Sequence, residues 1–167
     1  MTADISTIRA LALDVDGVLT DGGVWWSDNG TESKRFSFAD IMGVSLASKA
    51  GLIVTLISGE DSPLVDRFAT KMNITDVTKG CKDKASALRA FAERSGLPLE
   101  AICFMGDDVN DLGAMAIAGF SAAPANAQAA VLKAVRFVAR ANGGNGAVRE
   151  LVDMILSSKT VRVAKTL

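Results

Sequence analysis

The sequence predicts an α/β fold, a parallel sheet with crossover helices, on three observations. Short apolar runs alternate with helical patterns along the chain. Three of those runs end in polar clusters: Asp14-Val15-Asp16-Gly17, Ser58-Gly59 and Gly106-Asp107-Asp108. The 167 residues suit one domain, long enough to bury a core without a disulfide or structural metal.

The first strand is predicted over 10–15, an apolar run interrupted only by Asp14. A hairpin follows over 23–36, because Trp25-Trp26 and Ser33 to Phe36 flank Asn29-Gly30, the dipeptide a tight hairpin turn prefers. Both tryptophans sit on it, so an aromatic patch is expected at its surface, and with it a subunit contact. A helix begins near Asp40, and a strand spans 52–57. The helix over 61–71 has Asp61 and Ser62 as cap candidates and Pro63 in its first turn. A weaker strand lies at 75–78. The helix over 83–95 lines up Ala87, Leu88, Phe91 and Ala92 and stops at Gly96. A strand at 101–105, a helix at 111–118, weak strands at 120–122 and 136–138 and a helix at 147–156 complete the set. The basic segment 157–167 reads as a mobile tail. No repeat, low-complexity block or linker divides residues 1–167, so a single domain is expected.

Composition removes several classes of function. The net charge of -1 lacks the basic excess of a nucleic-acid binder. No apolar run approaches the ~18 residues that span a bilayer. The first ten residues place Asp4 before Arg9 and show no leader pattern, so a cytoplasmic location is expected. Cys81 and Cys103 form no CxxC pair, and Cys103, in an apolar run, reads as a small core residue. The chain has no histidine, which excludes Ser-His-Asp and Cys-His catalysis and His-based zinc sites.

Chemistry must therefore come from carboxylates, lysines, hydroxyls and backbone amides. In open α/β sheets ligands bind beyond the carboxyl ends of strands. Asp14 and Asp16, two apart at a strand end, share one side and repel unless a cation lies between them. A solvated Asp turn is the plain alternative. Ser58-Gly59 offers a hydroxyl and an uncrowded amide to a phosphoryl oxygen, although Ser-Gly also opens ordinary loops. Lys84 opens a helix, where a lone lysine is most often a surface residue. Asp107, Asp108 and Asp111 add three carboxylates after a buried strand. Five carboxylates at two strand ends call for a hard cation, and oxygen-only ligands favour magnesium over zinc.

In order, DVDGVLT, SG, Lys84 and GDDVND resemble the four motifs of the haloacid dehalogenase superfamily, and the match spans nearly the whole chain. The resemblance implies a Rossmann-like doubly wound sheet and a two-step phosphoryl transfer. Asp14 would be the nucleophile that becomes an aspartyl phosphate. Asp16 would protonate the departing alkoxide and then activate water. Magnesium would be held by Asp14, the backbone carbonyl of Asp16, and Asp107. Ser58, Gly59 and Lys84 would hold phosphoryl oxygens, with Val15, Asp16, Thr20, Asp40 and Glu60 also at the substrate, and Asp108 and Asp111 in support.

No insertion is large enough to be a cap domain. DVDGVLTDG at 14–22, Lys34, Phe36, Asp40, Gly43 and GGNGAVRE at 143–150 resemble the capless phosphatases of 2-keto-3-deoxy sugar acid phosphates. Those proteins imply a homotetramer assembled through its hairpins, with a phosphorylated sugar acid as substrate. The octulosonate phosphatases usually carry Arg where this chain has Glu60 and Asn145. The nonulosonate 9-phosphatases resemble it in having Glu at position 60. A nonulosonate 9-phosphate, such as that of KDN or an N-acylneuraminate, is therefore expected ahead of 3-deoxy-manno-octulosonate 8-phosphate. Two other readings stand beside it. One is a receiver-like phosphoacceptor domain, which lacks the second Asp of the DxD pair. The other is a non-catalytic oligomerisation module like the C-terminal part of some acylneuraminate cytidylyltransferases, which intact motifs oppose.

Overall fold

The computed structural model describes residues 4–164, the last four as backbone only. Strand β1 (Ala10–Leu13) is followed by the small antiparallel pair β2 (Trp25–Trp26) and β3 (Glu32–Ser33) and by helix α1 (Phe38–Lys49). Then come β4 (Ile53–Ile57), α2 (Pro63–Met72), β5 (Asp76–Thr78) and α3 (Lys84–Ser95). The chain ends with β6 (Ile102–Met105), α4 (Leu112–Ile117), β7 (Phe120–Ala123), α5 (Ala129–Ala134), β8 (Phe137–Val138) and α6 (Ala147–Ala164).

Six strands form one sheet in the order β5-β4-β1-β6-β7-β8, every neighbouring pair parallel. From β1 the chain builds outward on the β4 side, then crosses to β6 on the other flank of β1. Loops leaving β1 and β6 thus part in opposite directions and open a crevice at their carboxyl ends.

The period-2 alternation of side chains sorts the core into two halves. Leu11, Leu13, Val54, Leu56, Cys103 and Met105 join Val44 of α1, Phe68 of α2 and Leu151 of α6. Ala10, Ala12, Ile57, Ile102 and Phe104 join Leu88 and Phe91 of α3, Met115 of α4 and Val131 of α5. Ala12 of β1 is registered beside Phe104 of β6, a small residue next to a large one in the same half of the core.

Local chemistry explains the helix ends. Ser62 caps α2 by accepting the Leu64 amide, with Pro63 in the first turn. Asp83 caps α3 and Gly96 closes it with φ +64°. One expectation needs correction. Residues 157–164 are not a loose tail but continue α6, because a stretch with neither Gly nor Pro contains nothing to stop a helix; residues 165–167 lie outside the described part. Helix α5 was not anticipated, since six residues are too few for a visible period. Among the described residues no helix is long and apolar enough to cross a membrane.

Candidate active site

Each polar strand end is fastened by the ladder beside it. The Asp14 amide donates to Met105 of β6 (3.0 Å), the Ser58 amide to Thr78 of β5 (2.8 Å) and the Gly106 amide to Ala122 of β7 (3.2 Å). Beyond them lies a cleft of about 360 Å³, lined by Asp14, Asp16, Gly17, Gly22, Gly59, Glu60, Lys84 and the segment Asp107 to Asn110.

Lys84, 2% exposed, is the buried cation of this site. Its Nζ lies 2.8 Å from Asp14 Oδ2 and 2.6 Å from Asp111 Oδ1. Asp111 is saturated, because its Oδ2 also accepts the amides of Asp107 (2.9 Å) and Asp108 (3.2 Å). One oxygen each from Asp14, Asp107 and Asp111 falls within 4.8 Å of the others. Burial first, and then the Asp111 charge, push the Asp14 carboxyl up to about 7 against the opposing pull of Lys84. Burial, Asp111 and Asp108 likewise push Asp107 up to about 7. One ammonium among three crowded carboxylates leaves negative charge uncompensated. That donor set fits a hard divalent cation such as magnesium at Asp14 and Asp107.

The loop after Asp14 is moulded around these groups. Gly17, at φ +80°, lies so close to the Asp107 carboxylate that a Cβ would collide with it. Thr20 Oγ accepts the Gly17 and Gly22 amides at 3.2 Å each and lies 3.5 Å from Asp16 Oδ1. Thr20 is therefore a buried brace of the loop. The Gly144 amide donates to Val18 O (2.9 Å), so the glycine-rich segment backs the same loop.

The structure gathers Asp14, Asp16, Gly59, Glu60, Lys84, Asp107 and Asp108 around the cleft. Ser58 is fully buried and is not among the residues lining the cleft, with Oγ accepting the Glu60 amide (3.2 Å). The Val15 amide serves the Asp14 carboxylate (2.7 Å). Asp108 caps the 3-10 turn Val109–Asp111.

Asp40, expected at the substrate, lies in the first turn of α1. It is 1% exposed, and its carboxylate accepts the amides of Gly146, Val148 and Arg149 (3.0–3.1 Å). It caps α6, whose first-turn amides lack intrahelical partners. Asn145 is exposed and is not among the residues lining the cleft.

Sequence reasoning missed the partner of Asp16. Lys34 Nζ lies 2.9 Å from Asp16 Oδ1 and 3.0 Å from Oδ2. Burial works against the Lys34 ammonium, but Asp16 and Glu32 outweigh it and raise its pKa above the ordinary lysine value. Eighteen residues separate the pair, and no local pattern signals a contact made by folding a hairpin back. Asn110 and Gly22 also line the cleft unanticipated.

Comparison with known proteins places these features in context. Residues 26–151 match the haloacid dehalogenase-like hydrolases. The 3-deoxy-D-manno-octulosonate 8-phosphate phosphatase KdsC of Escherichia coli K12 is 35% identical over 154 residues, covering 92% of this chain and 82% of that one. The crystal structure of the 3-deoxy-D-manno-octulosonate 8-phosphate phosphatase of Moraxella catarrhalis, in complex with magnesium, phosphate and KDO, is similar with a TM-score of 0.90. It is 32% identical and covers 98% of this chain and 95% of its own. The cobalt-bound phosphatase of Haemophilus influenzae that carries the same substrate in its name also has a TM-score of 0.90. It is 36% identical over 93% of this chain and 91% of its own.

Proposed function

The chain belongs to the haloacid dehalogenase-like hydrolases and is a phosphatase, and from that premise we propose that it hydrolyses a 2-keto-3-deoxy sugar acid phosphate through an aspartyl phosphate on Asp14. The observation that carries this reading is the Asp14 carboxylate, buried at the floor of a polar cleft and paired with a buried lysine at 2.8 Å.

Bound at Asp14 and Asp107, magnesium would supply charge neutralisation to the phosphoryl group. The rest is the work of this chain's own residues. The Asp14 carboxylate oxygen forms a bond to phosphorus while the phosphorus–sugar oxygen bond breaks. Protonated Asp16 gives its proton to that leaving oxygen. Lys84, beside Asp14, and the amide of Gly59 neutralise the phosphoryl oxygens. Water then attacks phosphorus, passes a proton to Asp16, and inorganic phosphate leaves with Asp14 restored. Asp111 keeps Lys84 aimed at the site.

3-Deoxy-manno-octulosonate 8-phosphate is the favoured substrate, because the similar proteins named above carry that phosphate in their names. The nine-carbon nonulosonate 9-phosphate is the second reading, supported by Glu60 lining the cleft. The working form proposed is a homo-oligomer, a tetramer built through the hairpin, whose Trp25 and Trp26 are 72% and 76% exposed. Phosphate release from the octulosonate with magnesium present tests the central claim. Wild type is expected to turn over and Asp14→Asn to be inactive; a fully active Asp14→Asn variant would sink the mechanism.

A further inference from the structure

The hairpin brings a charge to Asp16, which lines the cleft. Lys34 follows β3, and its side chain is 3% exposed although the strands around it face solvent. Its ammonium spans both oxygens of Asp16, while Glu32 Oε1 stands 3.6 Å from the same Nζ. Glu32 is held in turn by two further groups. The Trp26 indole N–H donates to Oε2 (3.2 Å), and Ser62, at the start of α2, donates to Oε1 (3.4 Å). A continuous polar chain therefore runs Trp26, Glu32, Lys34, Asp16 from the surface of the hairpin to the cleft.

Without Lys34, the Asp16 carboxylate would keep only the 3.5 Å approach of Thr20 Oγ, too long and single to fix two side-chain torsions. Asp16 is 28% exposed in its side chain and could turn to water. The ammonium across both oxygens favours the ionised carboxylate, so Lys34 helps proton donation only where fixing the donor in advance, which removes an orientational cost from the reaction, outweighs that opposition.

We propose that Lys34 is a positioning residue that holds the Asp16 carboxylate at the leaving oxygen, so that the seat of the hairpin governs proton transfer. This rests on the role given to Asp16 above. An ion pair that merely fastened the hairpin would have the same distances, but it would not distinguish one leaving group from another.

The test compares kcat/KM of the magnesium-loaded enzyme on octulosonate 8-phosphate, an alkyl phosphate, and on p-nitrophenyl phosphate, whose leaving group departs without a proton. kcat/KM reads the first phosphoryl transfer alone, before the hydrolytic step that uses Asp16 for either substrate. Lys34→Met is expected to lower kcat/KM on the alkyl phosphate by ~10-fold or more, part of the usual value of general-acid help, and on the aryl phosphate by less than ~3-fold. Adding Lys34→Met to Asp16→Asn should cost nothing further on the alkyl phosphate. Equal losses on both substrates, or no loss on either, would overturn the proposal, as would additive losses in the double variant. If Lys34→Met does not fold, Glu32→Gln replaces it, with the same selectivity expected at smaller size and the same results overturning. Wild type inert on both phosphates would bring down the phosphatase reading itself; an active wild type with unselective Lys34→Met brings down this inference alone.

Discussion

Asp40 and Val148 lie 108 residues apart in sequence and are joined by a 3.0 Å hydrogen bond from the Val148 amide to Asp40 Oδ1. A carboxylate in the first turn of α1 thus serves as the cap of α6. The two helices cross closely beside it, where a Cβ on Gly43 would come within 2.8 Å of Arg149 Cα. This pairing seats the glycine-rich segment that backs the loop after Asp14.

Asp40→Ala is therefore expected to act on stability and not on substrate binding. Losing a buried acceptor of three amides costs about 1–3 kcal/mol, which for a chain of this size lowers Tm by roughly 2–12 °C. Thermal melting checks the first part, and KM measured below the transition checks the second. A Tm equal to wild type with a tenfold higher KM would return Asp40 to the substrate.

Proton and metal compete at the carboxylate cluster. Asp14 and Asp107 have folded-state values of about 7 against an ordinary 3.8. Raised values mean that, without metal, their contribution to stability is fully present below about 4 and lost as pH rises through about 7. Magnesium must displace those protons, so its apparent affinity should rise by roughly tenfold or more between pH 6 and pH 8. The gain in Tm on adding magnesium should be larger at pH 8. A gain that is equal, or larger at pH 6, would contradict this.

Trp25 is 72% exposed on the hairpin, an unusual position for so much apolar surface. Trp25→Ser leaves the Trp26–Glu32 hydrogen bond in place, and is expected to weaken assembly of a homo-oligomer. Light scattering at micromolar concentration decides: a wild type that is already a fully active monomer refutes the assembly.

Glu60 is exposed and lines the cleft, while Lys79 is taken by Asp61, the residue after Glu60 (2.8 Å), and by Asp66 (2.7 Å). A like-charge approach to a sugar carboxylate at ~4 Å costs about 1 kcal/mol in water and about 4 at an effective dielectric of 20. Glu60→Arg should accordingly shift the kcat/KM ratio toward octulosonate 8-phosphate over the nonulosonate 9-phosphate by ~5-fold or more. An unchanged ratio would show that position 60 does not read the sugar.

Much of this protein was legible in the amino-acid order because the forces concerned are local. Leu11 and Leu13 against Ala10 and Ala12, Ser62-Pro63 at the start of α2, Gly96 at the end of α3 and Asn29-Gly30 between Trp26 and Glu32 each follow from periods and turn preferences spanning a few residues. The carboxylates at the ends of β1 and β6 were equally visible, since a parallel sheet delivers its strand ends to one edge. What only the tertiary structure decided is which of these groups meet. Asp14 faces Lys84 and Asp111 because β1 lies beside β6 with α3 packed behind. Lys34 reaches Asp16 because the hairpin folds back toward it, and Asp40 meets the α6 amides because α1 and α6 pack together. Such pairings depend on the order of strands and the crossing of helices, which are set by burial summed over the whole chain and leave no signature at any one position.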